Sequence, residues 1–232
     1  MSISSKHIIF LVLGLVGSIV LFEYSSLDVQ LQQLFYDHTS RQWLVDRDNA
    51  ILKLLLYDGV KLAYILFVMV LLFNVLFFRK KILVKQYQTG LLIVLLSCVL
   101  EPALVGSLKS VTNIPCPRDL TLFDGSYPHV TLLSTYPSSF HQEKSIQCYP
   151  AGHASGGFAL MSLFFLFRQT RNRVIGLASG FVTGWVTGAY KMLIGDHFLS
   201  HTVTTMFLAG LIILILARLL LPTTVTQLPD NR

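Results

Sequence analysis

Residues 148–157 read Cys148-Tyr149-Pro150-Ala151-Gly152-His153-Ala154-Ser155-Gly156-Gly157. A polar stretch ends there and an apolar run begins, so the segment reads as the mouth of a helix. Pro150 suits a first helical turn, where its missing N–H costs nothing. Gly152 lets a ligand approach the backbone. Unpaired N–H groups and the positive dipole end at a helix start favour an anion. His153 is placed to exchange a proton with that anion. Alone, the same residues describe only a turn capping a helix, so their meaning rests on what converges on them.

The 232-residue chain is 53% hydrophobic and 13% charged, with a mean hydropathy of +0.62. A soluble domain carries about 25% charged residues. Apolar runs approaching the roughly 20 residues needed to cross a bilayer recur along it. The reading is an all-α, polytopic membrane helix bundle of about six transmembrane helices. Spans are expected at 8–22, 59–78, 89–108, 151–167, 174–193 and 198–221. The first competes with a cleaved signal peptide, but no small-x-small site follows it, only Glu23-Tyr24-Ser25-Ser26. The irregular amphipathic pattern after Leu27 suggests a helix lying on the membrane surface. A short helix over 49–57 leads into the second span. No soluble domain boundary is visible, so residues 1–232 read as one domain, with a polar tail at 222–232.

The net charge of +6 would suggest nucleic acid in a soluble protein. Here Arg79, Lys80, Lys81 and Lys85, and then Arg168, Arg171 and Arg173, flank apolar runs. They read as topology signals, and no nucleic-acid partner is expected. The positive-inside rule places both clusters and both termini in the cytoplasm. The loops at 23–58 and 110–149 then face a periplasm or the cell exterior, across the cytoplasmic (inner) membrane. Cys116 and Cys148 bracket the second loop on an oxidising side, where they either pair as a disulfide or stay free thiols. Cys98 lies within a span and reads as a packing residue. Gly180, Gly184 and Gly188 recur every four residues, a face that lets another helix pack closely.

Lys109, His153, Lys191, His197 and His201 all fall at the outer ends of their spans. Ionisable groups at membrane depth are costly and usually functional. His197 and His201, four apart, share a helix face. The set suits phosphoryl transfer: cations and helix N–H groups bind phosphate, one histidine attacks, and another moves the proton. Other readings stay open. Lys109 and Lys191 can snorkel to the interface, and paired histidines can hold zinc or haem, although a third ligand in the spans is lacking. Glu101, two turns inward of Lys109, is left out of the site, and His129 and His141 read as loop histidines.

In order and spacing these residues resemble the type 2 phosphatidic acid phosphatases, membrane enzymes that hydrolyse lipid phosphates. Their motifs read K-x6-R-P, P-S-G-H and S-R-x5-H-x3-D. This chain has Lys109-x6-Cys116-Pro117, Pro150-Ala151-Gly152-His153 and Tyr190-Lys191-x5-His197-x3-His201. The resemblance covers roughly residues 89–221. It implies removal of phosphate from a lipid phosphate or diphosphate on the outer face of the membrane, without cofactor or metal. His197 would be the nucleophile, forming a phosphohistidine, and His153 the general acid. Lys109, Arg118, Lys191 and the N–H groups at Gly152 would hold phosphate.

Four positions depart from the motifs. Cys116 replaces an arginine, with Arg118 two residues on. Ala151 replaces a serine and Lys191 an arginine. His201 replaces the aspartate that orients the nucleophile. Asp196 is adjacent to His197 in sequence, with a side chain expected to diverge from it. The departures leave two further readings: a lipid phosphotransferase, or an inactive member that binds lipid or a partner. Membrane lipids are expected neighbours, and neither the particular lipid nor the oligomeric state is legible.

Overall fold

The computed structural model describes residues 3–221, so the expected tail at 222–232 lies outside the described residues. Helix α1 runs Ser5–Glu23, with the Ser4 hydroxyl accepting from Lys6 N–H. Helix α2, Leu27–Gln33, is followed by a hairpin of β1, Tyr36–Asp37, and β2, Gln42–Trp43, paired antiparallel. The surface helix anticipated after Leu27 is thus one seven-residue helix. It docks onto the bundle: Gln32 is fully buried and donates to the Met192 carbonyl at 2.7 Å. Helix α3, Ala50–Lys53, is capped by Asn49 and passes through a π-helical turn into α4, Gly59–Phe77. Helix α5 spans Ile82–Thr112 and stops at Asn113, whose positive φ of 50° suits a helix C-terminus. Helix α6, Gly152–Ala159, tightens into a 3₁₀ segment, Leu160–Phe165. Helix α7 is Thr170–Leu193 and α8 is Leu199–Leu220.

Among the described residues, four helical rods are long and apolar enough to cross a membrane: Ser5–Glu23, Ala50–Phe77, the rod beginning at Ile82, and Leu199–Leu220. Helices α6 and α7 fall short by length or composition, because their inward faces are built from small and polar residues. Gly157, Gly180, Gly184 and Gly188 line the seams. A Cβ on Gly184 would strike the Phe158 ring, one on Gly180 the backbone at Leu160 and Met161, and one on Gly188 the Thr202 side chain. The glycine face therefore packs α7 onto α6 and α8. The other face of α7 exposes Val174, Ile175, Leu177, Phe181, Val182 and Val186. Apolar outside and small inside is the arrangement of a helix packed among helices in lipid.

The two ends of the bundle differ. Arg168, in the α6–α7 turn, donates to the Gln86 carbonyl and lies over the Tyr87 ring, so the two basic turns meet at one end. Arg218, near the end of α8, reaches Ser5 at the same end. The opposite end is closed by the 113–149 segment. That segment is packed, not merely solvated: Tyr36, Leu120, Phe123, Tyr127 and Phe198 form a small aromatic core with Trp43, Tyr136 and Phe140 against it. Asn113 pins it, its Oδ1 accepting from Gln142, Ser145 and the Ile146 N–H.

Candidate functional site

A polar cleft opens at that closed end, with a cavity volume of about 330 Å³. Lys109, Arg118, His153, Lys191, Asp196 and His197 line it, with Tyr57 and Tyr190, while Arg47, Asp48 and Lys53 also contribute to its wall. Four stretches of the chain supply these groups, around residues 47–57, 109–118, 147–153 and 190–197. Lys109 comes from the last turn of α5 and His153 from the first turn of α6. Lys191 comes from the last turn of α7. Gly195, at φ 75°, reverses the chain after α7, so that both the Asp196 and His197 N–H groups donate to the Lys191 carbonyl.

Arg118 enters from the 113–149 segment, held in three ways. Its N–H donates to the Gly195 carbonyl at 3.1 Å. Cys116 is bonded to Cys148, which ties its strand to the turn before α6. Its guanidinium pairs with Asp196. Asp196 also accepts from Lys191 Nζ at 2.8 Å. It makes no hydrogen bond to His197, as its position in sequence suggested, but its link to two cations was not read from the sequence.

The three histidines sit together. The His153 and His197 rings have centroids 5.8 Å apart, and His197 Nδ1 lies 3.4 Å from His201 Nδ1. In that contact one ring donates and the other accepts. His201 is walled by Tyr149 and Phe198. His197 Nε2 and His153 Nδ1 are buried and take no hydrogen bond within the protein. Burial holds the His197 imidazole well below its ordinary pKa, and His201 and Lys109 push the same way, which favours the neutral ring. A deprotonated ring nitrogen facing a cationic cleft is what attack on an anion requires.

Two expectations about local geometry change. Helix α6 begins at Gly152, so Pro150 precedes the helix instead of occupying its first turn, and its peptide bond is cis. His197 lies two residues before α8, in the turn, yet the chain still brings it against His201. Gly152 does face the cations: a Cβ there would sit 3.5 Å from Lys109 Nζ. Ser155 is not a spare donor, because its hydroxyl is committed to the Gly152 carbonyl at 2.8 Å. Glu101 is fully buried among the helices and lines neither space described here. Cys148, His197 and His201 bring metal-type donor atoms within 4.8 Å of one another, but the disulfide leaves Cys148 no thiolate to offer.

Tyr57 was missed by sequence reading. Its ring receives Lys191 Nζ 4.3 Å from its centroid and lies 4.9 Å from His153. It also stands at a junction. A second space, apolar and about 810 Å³, runs along α4, α5, α6 and α7 past Val60, Ala63, Tyr64, Phe67 and Leu160. Tyr57, Lys109, His153 and Lys191 belong to both spaces.

Fold and cleft together describe an all-α membrane protein with a cleft lined by histidines and cations. The family model of the PAP2 superfamily matches residues 90–223, more than half of the chain, and the chain belongs to that superfamily. Members are phosphatases, which makes a phosphoric ester hydrolase the coarse assignment. No curated protein and no solved structure matches the chain.

Proposed function

We propose that this protein is an integral membrane lipid phosphatase, releasing phosphate from a lipid phosphate or diphosphate through a phosphohistidine. The observation that carries the reading is the junction. A cleft fit for phosphate and a groove fit for a hydrocarbon tail share Tyr57, Lys109, His153 and Lys191. A lipid keeps its tail in the groove and presents its phosphate where the two meet.

Lys109, Arg118 and Lys191 hold the phosphate, with N–H groups at the α6 start near Gly152 adding to them. His197 Nε2 attacks phosphorus. The P–O bond to the lipid breaks, its electron pair stays on the leaving oxygen, and His153 protonates that oxygen. Water then attacks the phosphohistidine, giving its proton to His153, and inorganic phosphate leaves with His197 restored. His201 takes the orienting place of the family's aspartate. It accepts a hydrogen bond from the His197 Nδ1–H and so fixes the tautomer that leaves Nε2 free. Every step runs on side chains of this chain. The basic turns at the far end of the bundle support a cytoplasmic placement for that end and an outer-face placement for the cleft. Helices α6 and α7 complete six spans on this reading.

The test is phosphate release from a panel of lipid phosphates and diphosphates by detergent-purified protein in EDTA, beside His197→Ala and His153→Ala. Release that survives EDTA and is lost in both variants is the expected result. Release equal in all three proteins, or none from any lipid, overturns the reading.

A further inference from the structure

The family pattern places an arginine where this chain has Cys116, and the cation that reaches the cleft, Arg118, stands two residues further on. Arg118 lies within the short 3₁₀ turn Pro117–Asp119 that Cys116 precedes, and side chains two apart on such a turn do not share a direction, so something other than the motif must aim it. The same question arises for Lys191, a flexible amine where a planar guanidinium is expected. One group touches both. Asp196 is buried, at 7% exposure, with one carboxylate oxygen on Arg118 and the other on Lys191 Nζ. Its own place is fixed by the N–H bond to the Lys191 carbonyl and by the turn at Gly195.

We propose that Asp196 is the positioning residue of the phosphate clamp, aiming Arg118 and Lys191 at the anion beside His197. The inference rests on the proposed phosphatase reading for its substrate, but not for its geometry. Without the carboxylate, two cations in one cleft repel each other and Lys109, and Arg118, already 31% exposed on its side chain, has a path to solvent. The remaining carboxylate near it, Asp119, lies 3.8 Å from Nε. Asp119 also accepts from the Cys116 N–H, so it restrains the base of the segment and leaves the far tip of the guanidinium to Asp196. One buried carboxylate thereby converts two mobile charges into a fixed pair.

The opposite role is a carboxylate that competes with phosphate for the same cations. The two predict opposite signs, which makes the test decisive. Asp196→Asn keeps size and one acceptor while removing the charge. Asp196→Ala, Arg118→Ala and the double variant Arg118→Ala with Asp196→Ala complete a cycle. Binding of inorganic phosphate and orthovanadate is read by thermal shift of the purified protein, and turnover by phosphate release.

The expected result is about tenfold weaker binding and about tenfold higher KM in Asp196→Asn, with kcat within about threefold, as removal of one positioning contact predicts. The double variant is expected to lose clearly less than the product of the two single penalties, because part of the effect of Asp196 runs through Arg118 and the rest through Lys191. Tighter phosphate binding in Asp196→Asn, or penalties that simply multiply in the double variant, overturns the proposal. Anion binding by wild type without turnover of any lipid phosphate overturns the phosphatase reading only, and the cycle is then read on binding. Absence of both anion binding and turnover in folded wild type overturns both.

Discussion

The cleft and the groove meet at four residues and are built on opposite principles. The cleft gathers groups from four stretches of the chain and holds them by strong, directional ties: a disulfide, the Asp196 ion pairs, and backbone bonds from Arg118, Asp196 and His197. The groove is walled by neighbouring helices whose spacing is set by glycine contacts such as Gly184 on Phe158 and Gly156 beside the Tyr64 ring. Directional ties fix atoms to a fraction of an ångström, which phosphoryl transfer needs. Packing fixes only a width, which suffices for a tail.

That contrast can be broken most directly at His197. Replacing it with Ala should lower phosphate release at least about 10³-fold on every substrate, long-chain or short, since the proposed nucleophile is gone. His153→Ala should cost about 10²-fold or more, with less loss for substrates whose leaving group needs no proton. An aryl phosphate against an alkyl phosphate measures that difference. Serine at both Cys116 and Cys148 removes the covalent tie across 32 residues. A loop of that size is worth about 3–4 kcal/mol of stability, read as a lower thermal midpoint in detergent. Dithiothreitol should produce the same drop in wild type and none in the variant.

The groove is probed by Ala63→Trp, which fills it from an exposed position on α4. KM for a long-chain lipid phosphate should rise about tenfold, the scale of a blocked apolar contact, while a short soluble ester is unaffected. An equal rise for both would mean that cleft and groove are not separate. The smallest effect is expected outside both. Asp28 caps the first turn of α8 by accepting from Ser200 N–H at 2.9 Å, and burial raises its carboxyl to about 6. An acid raised in the folded state stabilises the fold below its ordinary pKa, and that contribution is lost as pH climbs through the raised value. At pH 7.5 Asp28→Asn, which keeps the acceptor, should therefore melt no lower than wild type. Any gain should vanish at pH 5, with kinetics unchanged throughout.

The cleft was more legible in the sequence than the groove. Lys109, His153, Lys191, His197 and His201 are ionisable, and such residues are conspicuous at the ends of apolar runs. Arg118 was legible as a phosphate-binding cation, but the Asp196 carboxylate that holds its guanidinium was not, since that pairing exists only in the folded chain. Tyr57 and Asp196 carried no signal: a tyrosine at a helix entry and an aspartate in a turn are ordinary, and only tertiary placement gives them partners. The groove's Val60, Phe67 and Leu160 look like any span. The long apolar spans were plain from hydropathy, whereas the hairpin at Tyr36–Trp43 and the aromatic core over the outer end were hidden by short, irregular patterns. Helix α7 was read by its glycines, whose four-residue repeat is a packing signal even where apolar content is modest.

The wall common to cleft and groove has a consequence for traffic. On the proposed reaction the bond is cut where oil ends and water begins. Inorganic phosphate, which does not dissolve in hydrocarbon, has only the aqueous mouth by which to depart. The lipid product stays on the bilayer side and slides out laterally. Neither has to pass the other, so the two products part by separate doors.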